Sequence, residues 1–588
     1  MSVEYGELNL VWCTALVEGL VRNGVHYAVA SPGSRSTPLT LACVRHPGLR
    51  LWMQPDERSA AFFALGISKL KNSPVAVIAT SGTAPANWYP AVIEASYDYH
   101  SLIMLSADRP GELQDCGANQ TIDQTRLFGV HTRAFQNFPP ADDSATALRM
   151  ARDIASRAVD NSRWPIPGPV HINVPLREPL VPKDLTATLP HYASEIVPRS
   201  HHPQLNPDRR DVNELNRRLC SGNGLIVCGR ADYPDEFPEA VGKLADRLHS
   251  PVLADPLSGL RFGRHDRHWV FTHYDALLRA EDMVQDYRPD WVLRFGGIPT
   301  SKSLQRFLGG LSQDTILLVV PYGPWPDIEH SSAEVYHSDP LELCHALLKT
   351  ELQPAHEPWH QTLLDRERHA ARVLNEMKNK PLEAEVLESV IRLSPEGSQL
   401  FCANSMVIRD IDSFASGGQR HLRLHGNRGA SGIDGNVSTA LGMAAVAEDP
   451  VIALLGDLTL YHDMNGLLAA NDLNIVMVIF NNGGGAIFGY LPQAALPEFE
   501  PYWLTPLGLD IAQIARLYGL NHHRVRNGKQ FTKALKHALN TSSADMIEVI
   551  IDREDSLRRH RSYWKTVSRK PLLLNLDPVS DLGKNRNP

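Results

Sequence analysis

Two short stretches hold the residues of this chain best suited to bind a metal ion. One is Gly456-Asp457, at the end of an apolar run over 451–455. The other is Asn481-Asn482 and the three glycines after them, at the end of a second apolar run over 475–480. Both runs have strand length, and the residues between them suit a crossover, expected as one helix. Two parallel strands joined this way end on the same sheet edge, where open α/β sheets bind their ligands. Asp457 would bring a carboxylate, Asn482 an amide oxygen and Gly484 a backbone carbonyl. Three oxygens suit Mg²⁺ (or Mn²⁺), which completes its shell with phosphate and water. Asn482 is preferred to Asn481 because Gly484 then falls two residues on. The glycines would let backbone come close to a diphosphate. A lone Gly-Asp would be an ordinary polar turn, and the information lies in the pairing across one βαβ unit.

The elements that must position these groups follow from the rest of the chain. The 588 residues suggest several domains, and 43% hydrophobic with 21% charged residues is an ordinary globular composition. Over the first block, strand-like runs at 26–30, 49–53, 75–79, 101–105 and 170–174 alternate with helical patterns and open on polar, Gly-rich segments. A second α/β pattern starts near 224, with runs at 291–297 and 316–320. A third starts near 381, with runs at 399–403, 420–424, 451–455, 475–480 and 546–551. Alternation of this kind predicts an α/β chain of three doubly wound parallel-sheet domains. They are expected at 1–185, 208–350 and 381–570, with a proline-rich linker at 186–207 and a charged, helical one at 351–380.

A net charge of −8 disfavours nucleic acid as a partner, and any anion site must be a local cluster of Arg and Lys. The seven scattered cysteines form no CxxC pair and are expected as reduced thiols. With no signal peptide and no apolar run near ~18 residues, a cytoplasmic protein without a membrane partner is expected.

The Gly456-Asp457 to Asn481-Asn482 stretch resembles the GDG…NN signature of thiamine diphosphate (ThDP) enzymes, with Leu458 where the second glycine often stands. The resemblance spans essentially the whole chain. It implies a first domain (PYR) that holds the aminopyrimidine of ThDP, a middle domain, and a last domain (PP) that holds the diphosphate and metal. Gly456, Asp457, Leu458, Asn482 and Gly484 then belong to the cofactor site. Glu57, after the 49–53 run, matches the glutamate that activates the cofactor through ring nitrogen N1′. Ile433 would prop the bent cofactor, and Ile487 and Phe488 would pack beside it or the substrate. Simple core packing is an equal alternative for these three.

Further blocks narrow the resemblance to one branch of that family. They are the segment 31–39 with Ser34 and Arg35, Asp108-Arg109-Pro110 with Asn119-Gln120, Asn404-Ser405 through Arg409, 427–435 with Arg428, and the Leu458 substitution itself. This branch decarboxylates 2-oxoglutarate and adds the succinyl carbanion to isochorismate in menaquinone biosynthesis. Both substrates are dianions, and arginine forks suit carboxylates. By resemblance, Arg35, Arg109, Gln120 and Lys302 face isochorismate, Ser34 and Asn119 belong to the substrate site, and Ser405, Arg409 and Arg428 hold the distal carboxylate of the 2-oxoglutarate-derived adduct. The resemblance also implies a homodimer or homotetramer, with PYR and PP meeting across subunits. The nearest rival is another ThDP decarboxylase or carboligase, of the acetohydroxyacid synthase kind. A non-enzymatic ThDP-binding protein is a second alternative. A nicotinamide-dependent dehydrogenase is disfavoured, because no GxGxxG follows a strand.

Overall fold

The computed structural model describes residues 4–186, 196–541 and 543–568. Part of the expected first linker (187–195) and the end of the chain from 569 lie outside the described residues.

Three six-stranded sheets, all parallel, organise the chain. The first comprises β1 (Tyr27–Ala30), β2 (Arg50–Met53), β3 (Val75–Ala79), β4 (Leu102–Asp108), β5 (Phe135–Asn137) and β6 (Val170–Pro175), in the order 2-1-3-4-6-5. The middle one comprises β7 (Gly224–Cys228), β8 (Val252–Ala254), β9 (Val270–Phe271), β10 (Trp291–Phe295), β11 (Ile316–Val319) and β12 (Ser332–Tyr336), in the order 12-11-10-7-8-9. The last comprises β13 (Gln399–Cys402), β14 (Arg423–His425), β15 (Val451–Gly456), β16 (Ile475–Asn481), β17 (Asn521–Val525) and β18 (Asp545–Ile550), in the order 14-13-15-16-18-17. Numbered within their own sheets, the first and last have the same strand order. The coarse sequence repeat therefore extends to topology, while the middle sheet is wound differently.

The expected central strands are present because helices cover both faces of each sheet, so β3 and β11 are buried along their length and read as unbroken apolar runs. Strands β5, β9, β12 and β17 gave no such signal. They are short or polar and lie at sheet edges, as in Asn521–Val525 with Asn521 and Arg524 exposed. The crossover after Asp457 is not one helix. It is a helix over Asp457–His462 and a 3-10 segment over Met464–Ala470. The break falls at Asp463, whose buried carboxylate accepts from the Ser438 amide at 2.7 Å and the Ser438 hydroxyl at 2.9 Å.

One hydrophobic core joins the first and last domains, with Val77 and Met104 of one sheet and Ala453 and Ile479 of the other in the same cluster. Between the sheets, the helix Glu57–Lys71 crosses the helix Asn436–Ala444. The charged connector forms the helix Glu357–Glu376. Its Leu363 and Leu364 pack into the middle core and its Ala370 and Leu374 into the last. Arg261 adds a buried tie from the middle domain, pairing with Asp412 and donating to the Ile411 carbonyl at 3.2 Å. Among the described residues, no helix is long and apolar enough to cross a membrane.

Candidate cofactor and substrate site

Strands β15 and β16 lie side by side in register, Gly456 opposite Phe480, so Asp457 and Asn482 emerge at one sheet edge. The Asp457 carboxylate accepts from the Leu458 amide and from the Gly484 amide, each at 2.8 Å. Burial nevertheless raises its pKa to about 6, against those backbone donors. A carboxylate in that condition is relieved by a cation. The two asparagines have different tasks. Asn481 donates to Glu548 at 2.8 Å and accepts from the Gly483 amide at 3.3 Å. The Oδ1 atom of Asn482 is enclosed and has no hydrogen-bond partner. An orphaned amide oxygen on the same sheet edge as a half-buried carboxylate fits a hard divalent cation. Gly484 is required where it stands: its φ is +124°, and a Cβ there would lie 2.1 Å from the Leu504 carbonyl oxygen.

On the same edge, β13 leads into Asn404 and Ser405. Ser405 caps the helix Met406–Phe414 with φ 65°, a left-handed conformation that costs a non-glycine residue energy. Asn404 ties the neighbouring loop together, donating to the Asn427 carbonyl at 2.7 Å and the Gly432 carbonyl at 2.6 Å, and accepting from Arg428 at 2.7 Å. Arg409 donates to the Ser405 carbonyl at 2.5 Å. Burial lowers the pKa of Arg409, and the nearby Arg428 lowers it further. Both guanidiniums are anchored on the Asn404-Ser405 segment, and two cations so placed suit a carboxylate.

A second arginine pair sits at the edge of the first sheet. Arg35 is buried, donating to the Leu176 carbonyl at 2.8 Å and pairing with Glu178 at 2.6 Å. Arg109 donates to the Ser81 hydroxyl, which in turn donates to the Gln120 carbonyl at 2.9 Å. Burial lowers the pKa of Arg109, with Arg35 adding repulsion. Ser34, Asn119 and Gln120 are exposed around this pair. Lys302 is exposed at the start of the helix Lys302–Gly309 in the middle domain. Its cap, Ser301, donates to Asp275 at 2.7 Å, and Asp275 accepts from Ser413 of the Arg409 helix at 3.4 Å.

Glu57 is half-buried at the first turn of its helix. Its neighbours are pinned to the segment that follows Asp457: Arg58 donates to the His462 carbonyl at 2.8 Å, and Asp56 accepts from Asn465 at 3.0 Å. Ile433, Ile487 and Phe488 are half-buried and belong to none of the hydrophobic cores among the described residues.

One residue missed from sequence shapes the site. Glu94, buried in the helix Tyr89–Tyr97 of the first domain, accepts from the amides of Gly429 and Ala430, both at 2.7 Å. It thereby holds the loop between Arg428 and Ile433. A lone glutamate in a helix gives no signal of a partner so far along the chain. A cavity of about 1140 Å³ includes Arg428 and the Gly296-Gly297 loop but neither Asp457 nor Asn482. A smaller one of about 250 Å³ adjoins Asn482 and Tyr490.

Three family models match the chain: the N-terminal TPP binding domain of thiamine pyrophosphate enzymes over residues 13–127, their middle domain over 200–402 and their C-terminal TPP binding domain over 414–549. The chain is 43% identical over 548 residues to a 2-succinyl-5-enolpyruvyl-6-hydroxy-3-cyclohexene-1-carboxylate synthase of Dechloromonas aromatica (strain RCB), covering 93% of this chain and 99% of that protein. It is 44% identical over 574 residues to the protein of the same name from Geobacillus kaustophilus (strain HTA426), covering 95% of this chain and 98% of that one. A Roseiflexus sp. (strain RS-1) protein, also of that name, is 38% identical over 576 residues, covering 95% of this chain and 98% of its own length.

Proposed function

This chain belongs to the 2-succinyl-5-enolpyruvyl-6-hydroxy-3-cyclohexene-1-carboxylate synthase family of thiamine diphosphate enzymes, and from that premise we propose that it decarboxylates 2-oxoglutarate and adds the succinyl carbanion to isochorismate by 1,4-addition, a step of menaquinone biosynthesis. What supports the choice of substrate is the placement of Arg409, bonded to the Ser405 carbonyl, and Arg428, bonded to Asn404, beyond β13 and β14 of the sheet that also bears Asp457 and Asn482. A donor with a second carboxylate needs such a pair, and a simple 2-oxo acid such as pyruvate does not.

When bound, ThDP supplies a carbon nucleophile and an electron sink for decarboxylation. Asp457, Asn482 Oδ1 and the Gly484 carbonyl would hold Mg²⁺ or Mn²⁺, and Gly456 and Leu458 would belong to the same cofactor site. Glu57 holds a proton at N1′ of the aminopyrimidine and so sets its tautomer. In a homodimer or homotetramer, Glu57 serves the metal site of the partner subunit. Ser405, Arg409 and Arg428 orient the distal carboxylate of the donor, and electrostatic preorganisation of this kind contributes without reorganisation during reaction. Ser34, Arg35, Arg109, Asn119, Gln120 and Lys302 receive isochorismate. Ile433 would prop the bent cofactor, and Ile487 and Phe488 would pack beside it or the substrate.

The test is CO₂ release with ThDP and Mg²⁺, 2-oxoglutarate set against pyruvate, with and without isochorismate. Release from 2-oxoglutarate with an isochorismate-dependent product is expected. Preference for pyruvate would favour the acetohydroxyacid synthase-like alternative and overturn this reading.

A further inference from the structure

Behind the site, three helices of the last domain converge on a cluster that the reaction does not use. Glu383 lies in the first turn of Leu382–Leu393, Asp410 in Met406–Phe414 and His560 in Arg553–Val567. They are 6%, 5% and 1% exposed, and a carboxylate oxygen from each acid and a ring nitrogen of the histidine lie within 4.8 Å of one another.

The hydrogen bonds decide what this cluster lacks. His560 Nδ1 is 2.8 Å from the Ser556 carbonyl oxygen. A carbonyl can only accept, so Nδ1 carries the hydrogen. In the neutral ring Nε2 then presents its lone pair, and it faces Asp410 Oδ1 at 3.0 Å. Two electron pairs at that distance need a positive centre between them. Glu383 Oε1 accepts from the Ser556 hydroxyl at 2.5 Å, but its Oε2 is enclosed and has no partner. Among the described residues, neither carboxylate has a lysine or arginine within ion-pair distance. A histidine fixed by a backbone carbonyl, with its other nitrogen turned toward carboxylates, is the arrangement metal-binding histidines adopt. The 3.0 Å separation suits two ligands about 2.1 Å from a shared ion. The adjoining cavity of about 250 Å³, lined by Glu383, Tyr490 and Ser556, has room for the waters that would complete a coordination shell.

We propose that Glu383, Asp410 and His560 form a second metal site, for a divalent transition ion of the Mn²⁺ or Zn²⁺ class, distinct from the cation site at Asp457. One imidazole with two carboxylates is intermediate between the nitrogen-rich and oxygen-only sets, and Mn²⁺ and Zn²⁺ accept it. The ion would be structural. It ties the helix that carries Arg409 to the C-terminal helix, against which Tyr490 of the loop after β16 packs. The alternative occupant is a proton shared between His560 and Asp410.

Equilibrium dialysis of the full-length chain against Mn²⁺ and, separately, Zn²⁺, with metal counted by mass spectrometry, distinguishes the two. The Asp457→Ala variant removes the other site. One ion per chain is expected to persist in Asp457→Ala. Its affinity should fall about tenfold or more in Asp457→Ala combined with Glu383→Gln, and binding should be lost with His560→Gln. Glu383→Gln keeps shape and volume, so it reports even where His560→Gln fails to fold. No bound ion in Asp457→Ala, or an ion that both second substitutions leave unchanged, would overturn the proposal.

Discussion

Asp457 and the two asparagines after β16 show how neighbours of similar type are given different work. Asn482 keeps a free, enclosed oxygen, whereas Asn481 is committed to Glu548 and the Gly483 amide. Asn482→Ala should therefore weaken metal-dependent ThDP retention by roughly ten- to a hundredfold, read as the Mg²⁺ concentration needed for half-maximal activity. Asn481→Ala should instead cost about 1 kcal/mol of stability in a denaturant titration while leaving that Mg²⁺ requirement nearly unchanged. Equal effects of the two on Mg²⁺ would contradict the assignment. Glu57→Gln should lower turnover on the order of a hundred- to ten-thousand-fold, because an amide cannot exchange the proton at N1′. Calorimetric titration with ThDP and Mg²⁺ should still show binding. Retained turnover would remove Glu57 from catalysis and revive the non-enzymatic alternative.

The crossing of Glu57–Lys71 with Asn436–Ala444 depends on two glycines facing opposite backbones. A Cβ on Gly66 would lie 2.0 Å from the Thr439 carbonyl oxygen, and one on Gly442 would lie 1.9 Å from that of Phe63. Backbone cannot swing aside as a flexible side chain can, so the helices would have to separate. Gly442→Ala should cost about 3 kcal/mol or more, at or above the upper end of ordinary overpacking. The separation would carry Glu57 away from its anchor on the segment after Asp457, so activity should fall with stability. Gly111→Ala, with nothing within 4 Å, is the control and should stay within about 0.5 kcal/mol. A Gly442→Ala protein with an unchanged melting midpoint would refute the close crossing. Neither glycine stood out in the sequence, where each is one small residue inside an apolar helix.

Across the chain as a whole, three buried histidines contribute to the response to acid. Burial lowers His100, His171 and His425 each to about 3, well below the ordinary 6.5. The folded protein thus holds these rings neutral while the unfolded chain protonates them. Their contribution to stability is complete above pH 6.5 and is lost progressively as pH falls from 6.5 toward 3, at about 1.4 kcal/mol per pH unit for each. His171, on β6 beside the Ser106 hydroxyl at 2.7 Å, is the simplest to test. His171→Gln should make the acid limb of a stability–pH curve shallower by about one proton. An unchanged slope would mean that the ring is not buried neutral.

The alternation of apolar runs with polar, Gly-rich ends was enough to determine the three-part parallel α/β plan, since fully covered strands must be continuously apolar. Local spacing along one βαβ unit was enough to place Asp457, Asn482 and Gly484 on one sheet edge, where the Gly484 amide reaches the Asp457 carboxylate, because that placement depends only on two adjacent strands. Edge strands such as β17, the break at Asp463 and the tie from Glu94 to Gly429 were invisible in the sequence. Each depends on a contact between residues far apart in the chain, and no local pattern of burial or turn chemistry encodes such a contact. The same holds for the Arg409–Arg428 repulsion and for the Glu383, Asp410 and His560 cluster. Their charges acquire meaning only when packing removes them from water and gathers them from separate elements.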